Sequence, residues 1–90
     1  MYSLESTPLE VSKALAERHR TIRKQLKMSQ EEMAERSGVS LGSLKRFENT
    51  GKISLESLLK LMNLLGRLKE FDNILLLMEN LDEVKKLFTK

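Results

Sequence analysis

Helix breakers are scarce in this chain, and their placement constrains the fold more than any other feature. One Pro and four Gly are all that 90 residues contain. Pro8 stands where a helix would begin, and Gly38, Gly51 and Gly66 stand where helices would end. Thr7-Pro8-Leu9-Glu10 combines a capping Thr, a first-turn Pro and a Glu that can reach back to the cap. It predicts a helix running to about Leu26. Leu15, His19, Ile22 and Leu26 recur at four- and three-residue steps and predict its buried stripe. Ser29-Gln30-Glu31-Glu32 reads as a second capping box. The short helix it opens runs to about Ser37, with Gly38 at the left-handed position that ends it. Ser40 caps a third helix to about Asn49, and Ser54 a fourth over Leu55–Leu65. A fifth is expected over Leu68–Glu79 and a last short one from Asp82 to Phe88. No segment of useful length alternates with period two, so no sheet is predicted.

Size and composition exclude several classes. Ninety residues make one domain with a small core, for which association would add stability. The absence of Cys removes disulfides, thiol nucleophiles and Cys-ligated zinc. With one His there is little material for metal or acid–base chemistry, so neither enzyme nor cofactor is expected. Aromatic residues are only 4% of the chain, too few for base-stacking single-strand binders. The N-terminus lacks the pattern of a signal peptide. The apolar stretches Leu58–Leu65 and Ile74–Met78 fall short of the roughly 20 residues of a membrane span. The reading is cytoplasmic, with no membrane partner. The net charge of +3 lies entirely in residues 1–54, which hold ten basic and seven acidic side chains. Residues 55–90 hold six of each. A polyanion-binding surface is therefore expected in the first part.

The informative segment runs from Gln30 to Asn49. Two short helices flank Ser37-Gly38-Val39-Ser40. Ala34 is small where the two helices cross, and Gly38 supplies the positive φ of the turn. Val39 plugs the angle between the helices. Met33, Leu44 and Phe47 bury the inner faces. The spacing Ala34–Gly38–Val39–Leu44–Phe47 agrees with a helix-turn-helix.

These residues resemble the Cro/CI-like, or XRE, regulators of bacteria and phages. The likeness spans about Arg18 to Gly66 and includes Met28–Ala34, Ser37–Ser40, Phe47-Glu48-Asn49 and Gly51–Leu58. It implies an all-α, five- to six-helix, lambda-repressor-like DNA-binding domain. Such proteins read duplex DNA as dimers, with the second motif helix in the major groove of a palindromic operator. The outer face of that helix here is Leu41, Gly42, Lys45 and Arg46, the expected base readers. Lys45 and Arg46 can donate to guanine. Leu41 and Gly42 depart from the polar residues common in the family. Leu41 can touch a thymine methyl, and Gly42 can let the backbone come close. Expected phosphate contacts are Gln30, Ser40, Ser43, Asn49, Thr50 and Lys52. The six bases from Lys13 to Lys27 are expected to add a phosphate-facing flank. The resemblance also implies a structural ion pair between Arg23 and Glu48. His19 reads as a packed, hydrogen-bonded core residue.

Residues 1–66 are expected to form the DNA-binding core. Residues 67–90 are expected to form a helical extension that packs on it and contributes to dimerisation. Phe71, Ile74 and Leu75 would face inward, and Leu81, Val84, Leu87 and Phe88 the partner. The implied function is a dimeric transcriptional repressor of double-stranded DNA. The stretch Gly51–Leu76 also resembles the HipB-like antitoxins, which implies a HipA-like kinase toxin as a partner. A third reading is a protein-interaction module that has lost DNA binding, to which Leu41 and Gly42 lend support.

Overall fold

The computed structural model describes residues 6–77 and 81–88, leaving aside the side chains of Leu81, Glu83 and Val84. All the regular structure among them is helical. Four helices carry the fold: α1 (Pro8–Gln25), α2 (Gln30–Ser37), α3 (Leu41–Thr50) and α4 (Leu55–Leu64). A single 3₁₀ turn follows at Leu68–Phe71, then a short helix α5 at Leu81–Lys86.

Each of the first four helices begins on a hydroxyl cap. In α1, Thr7 Oγ1 accepts from the Glu10 N–H at 3.1 Å, and Glu10 Oε1 accepts from the Thr7 N–H at 2.9 Å. Ser29, Ser40 and Ser54 accept from the N–H groups of Glu32, Ser43 and Ser57. The box expected at Ser29 is only half formed, because the Glu32 carboxylate turns to Arg36 at 2.8 Å instead. Gly38 and Gly51 end α2 and α3, both at φ +82°.

The core is small. Ala16, Met33, Ala34, Val39, Leu44, Phe47 and Leu61 are buried, bordered by Met28, Leu41, Ile53, Leu58, Leu64 and Leu65. Phe47, Met33, Leu44 and Leu61 are fully enclosed, each worth about 1.5–3 kcal/mol of burial. The turn residue Val39 closes the angle between α2 and α3.

The expected stripe of α1 is only partly buried: His19 is enclosed and Ile22 half-buried. Ala16, His19 and Arg23 face inward, while Leu15 and Leu26 are exposed. Two contacts set this rotation. Gly51 lies so close to α1 that a Cβ there would stand 2.9 Å from the Lys13 nitrogen and 3.0 Å from the Ser12 carbonyl carbon. One turn earlier, Glu48 draws Arg23 and His19 toward α3.

Four helices form the packed domain among the described residues, short of the five to six expected, since the fifth expected from Leu68 is one 3₁₀ turn and α5 is a six-residue helix beyond it. The Arg67–Glu70 ion pair and the half-buried Phe71 hold that turn. Beyond it Leu75 adopts φ 64°, a left-handed value that interrupts any helix. Leu75 therefore points outward rather than into the core, and Ile74 is exposed too. The expected end of that helix at Glu79 lies outside the described residues, as do the side chains of Leu81 and Val84. No helix among the described residues is long and apolar enough to cross a membrane.

Candidate nucleic-acid interface

The packing of α3 divides its residues into two sets. Leu44, Phe47 and Glu48 are buried, and Gly42, Lys45, Arg46 and Asn49 are exposed. Lys45 and Arg46 thus stand side by side on the outer face. Gly42 joins them, with nothing within 4 Å of where a Cβ would sit. Leu41 is half-buried and packs against the core cluster, so only part of it faces out.

Arg46 also borders a polar cleft at the junction of α3 and α4. Ser43, Arg46, Lys52, Ile53, Ser54 and Ser57 line about 380 Å³ of open space. Two cations and three hydroxyls converge there beside the first turn of α4. That combination suits an anionic oxygen. Lys52 is exposed, and neither it, Lys45 nor Arg46 stands in a salt bridge among the described residues. Sequence reasoning missed Ile53, Ser54 and Ser57. The signal was present in the Ser54 cap, which places the start of α4 beside the end of α3.

Several expected phosphate ligands are engaged within the protein. Ser40 Oγ donates to Ser43 Oγ at 2.9 Å. Thr50 Oγ1 donates to the Arg46 carbonyl at 2.7 Å and accepts from the Lys52 N–H at 3.1 Å. The Thr50 hydroxyl thereby stiffens the turn that carries Lys52. Asn49 Oδ1 accepts from Arg20 Nη2 at 3.4 Å, and the same nitrogen donates to the Glu48 carbonyl at 3.3 Å. Arg20 thus lies beside the α3 terminus, joining the flank of α1 to the exposed surface.

Gln30, an expected phosphate ligand at the start of α2, also turns its amide nitrogen toward α3. Its Nε2 donates to Glu48 Oε1 at 3.0 Å. Glu48 is the hub of a buried polar joint, its side chain fully enclosed. Arg23 Nη2 donates to Oε1 at 2.8 Å and Arg23 Nε to Oε2 at 2.9 Å, a two-pronged pair. Arg23 Nη1 reaches the Met28 carbonyl at 2.9 Å, tying down the α1–α2 loop. His19 Nδ1 lies 2.9 Å from Glu48 Oε2, and the imidazole tilts against Phe47 with centroids 5.7 Å apart. The ring therefore donates from Nδ1, because a carboxylate only accepts. Its Nε2 is buried with no hydrogen-bond partner among the described residues.

Protonation follows from these contacts. Burial raises the Glu48 pKa, but hydrogen bonds from Arg23, Gln30 and His19 outweigh it and hold the carboxyl at about 2. The Glu48 hydrogen bond raises Arg23 above the ordinary guanidinium value. Burial lowers His19, although Glu48 partly opposes this. A neutral ring and a cation from α1 and an amide from α2 thus meet one anion of α3, binding three helices together at one point.

A helix-turn-helix family model matches residues 20–71, more than half of the chain. The chain belongs to the Cro/CI-like, XRE-type helix-turn-helix family. No curated protein and no solved structure matches it. In this XRE-type regulator the matched span contains α2 and α3, the basic cleft and, apart from His19, the Glu48 joint. The family is one of DNA-binding transcription regulators, and the placement of Lys45 and Arg46 on the outer face of α3 is consistent with that role.

Proposed function

We propose that this protein is a sequence-specific, dimeric repressor that reads a palindromic operator through the outer face of α3. Lys45 and Arg46 read base edges in the major groove, with Gly42 and the exposed part of Leu41 beside them. Phosphates on one side meet the cleft of Ser43, Lys52, Ser54 and Ser57. Those near the start of α2 and α3 meet Gln30 and Ser40, and Asn49 and Thr50 border the far edge. Two such surfaces about one DNA turn apart would occupy the operator and exclude polymerase. Residues 1–66 carry the reading surface, and residues 67–90 supply dimer contacts. The observation that carries the proposal is the continuity of Lys45 and Arg46 with the hydroxyl-lined basic cleft. The joint behind them keeps Glu48 away from that surface.

Fluorescence polarisation tests this on labelled DNA from upstream of the protein's own coding sequence. Binding is expected to weaken steeply with salt, as counterions compete for phosphates. The Lys45→Ala/Arg46→Ala pair should erase the preference over unrelated DNA while helical content stays unchanged. Absent or salt-independent binding would overturn the repressor reading. Discrimination retained in the double variant would remove α3 as the reading helix.

A further inference from the structure

Arg20 spans the distance between the buried joint and the outer face of α3. Its Nε lies 3.6 Å from Glu48 Oε1, so the fully enclosed carboxylate anchors the guanidinium at its base. Its Nη2 donates both to the Glu48 carbonyl at 3.3 Å and to Asn49 Oδ1 at 3.4 Å. The Glu48 carbonyl is open to it because the Lys52 N–H, its partner had the helix continued, donates to Thr50 Oγ1 instead. A basic side chain on a last-turn carbonyl also suits the helix dipole. No other α1 arginine can take this place. Arg23 is spent inside the joint on Glu48 and the Met28 carbonyl, and Arg18 borders the hollow against α4.

The contact fixes the sense of the Asn49 amide. A guanidinium only donates, so Asn49 turns its oxygen to Arg20 and its nitrogen away. Asn49 is exposed, and its Nδ2 makes no hydrogen bond among the described residues. Asn49 follows Lys45 by one helical turn and shares the exposed outer face with it and Arg46. An Asn free to turn reads adenine by accepting from N6 and donating to N7 at once. With Oδ1 turned back to Arg20 that two-way pairing is lost and the donor alone faces outward. We infer that Arg20 is a positioning residue that makes Asn49 a donor-only contact for an acceptor atom of DNA, a phosphate oxygen or the acceptor edge of a base. The inference rests on the reading surface proposed above, and adds to it the residue that sets the polarity of one contact.

A double-mutant cycle on the full chain tests it, read by fluorescence polarisation on the upstream DNA and on unrelated DNA. Arg20→Met removes a cation as well as the contact, so its cost is compared in the wild-type and Asn49→Ala backgrounds. It should weaken upstream binding at least about threefold more where Asn49 is present. Equal cost in both backgrounds would overturn the inference. Asn49→Asp keeps the size of the side chain and its contact with Arg20, but replaces the donor with an anion. It should weaken binding at least about tenfold, and binding as tight as wild type would overturn the inference too. The two DNAs identify the acceptor: a loss shared by both means phosphate, and a loss confined to the upstream DNA means a base edge. Thermal melting without DNA reads the contact by itself. Asn49→Asp should be tolerated better with Arg20 than with Arg20→Met, by at least about 2 °C, because the new carboxylate pairs with the guanidinium. No such difference would remove the contact and the inference with it. A wild type that shows the difference but binds no DNA would overturn the repressor reading and the donor role together. Binding with additive losses would overturn the donor role alone.

Discussion

Replacing Glu48 with Gln preserves the shape of the joint and removes its charge. Arg23 then remains buried with no anion beside it, because its two prongs and the His19 donor all converge on that carboxylate. The size of the loss can be worked out in two ways. Glu48 sits at about 2 against an ordinary 4.5. At about 1.4 kcal/mol per pH unit, that is about 3–4 kcal/mol of preference for the ionised, bonded form. Removing one member of a buried ion pair costs about 3–5 kcal/mol in other proteins. The two figures agree. A domain of this length has roughly 5–13 kcal/mol of stability in total. Glu48→Gln should therefore lower the melting midpoint by roughly 12–24 °C. Urea unfolding followed by circular dichroism gives the free energy directly. Adding Arg23→Met to Glu48→Gln should cost little more, since it removes the stranded cation. The pH dependence carries the sign. Glu48 is depressed in the folded state, so its stabilisation is complete above 4.5 and is lost as pH falls toward 2. His19 is depressed as well, so its neutral form favours folding above 6.5 and that advantage shrinks as pH falls below 6.5. Wild type should weaken in both windows, whereas Glu48→Gln should be flatter in the lower one. A loss under about 1 kcal/mol, or unchanged acid sensitivity below 4.5, would refute this account of the joint.

Gly51→Ala should destabilise by at least about 2 kcal/mol, because φ is +82° and the new Cβ would meet α1 backbone at 2.9 Å; thermal melting reads this. Gly42→Ala should instead stabilise by about 0.5–1 kcal/mol, since it is helical with open space around it. If Gly42 is the point of closest DNA approach, operator affinity should fall in the same variant, which polarisation would show. Lys52→Ala should weaken binding similarly on all sequences and reduce the salt slope by about 1. Ser54→Ala should cost about 1 kcal/mol of stability through loss of the α4 cap.

Local chemistry was legible in the sequence because caps and turns depend on neighbouring residues. Thr7, Ser29, Ser40 and Ser54 begin helices where their spacing predicts, and Gly38 and Gly51 take the left-handed values the turns need. Apolar periodicity alone did not give the rotation of α1; the inward-facing Arg23 was implied by the family resemblance, through its pair with Glu48. Leu15 and Leu26 give a sound stripe on paper, yet Glu48, 25 residues after Arg23, turns the polar side inward. The partner of Gln30 was not legible for a similar reason. At the start of a helix it looks free for phosphate, and only the tertiary fold brings Glu48 within 3.0 Å of it. The shortfall after Leu68 has a local cause that composition hides. Leucines favour helix, but Leu75 takes φ 64° and the segment lacks a packing surface of its own.

The two constraints on α3 act on the same half of that helix. Glu48 is held by α1 and α2 one turn from its end, and Gly51 presses on α1 at the end itself. The opposite half, Gly42 to Arg46, is left to present exposed side chains. Leu44 holds that half in the core from its inner face, so a loosened joint lets α3 swing about Leu44 and displaces Arg46 and Asn49 more than Gly42. Weakening the joint without unfolding the domain should therefore cost operator affinity through Arg46 more than affinity for unrelated DNA, and comparing Arg23→Lys with wild type on the two DNAs checks this. Equal loss on both would mean that the joint holds the fold and not the angle of α3.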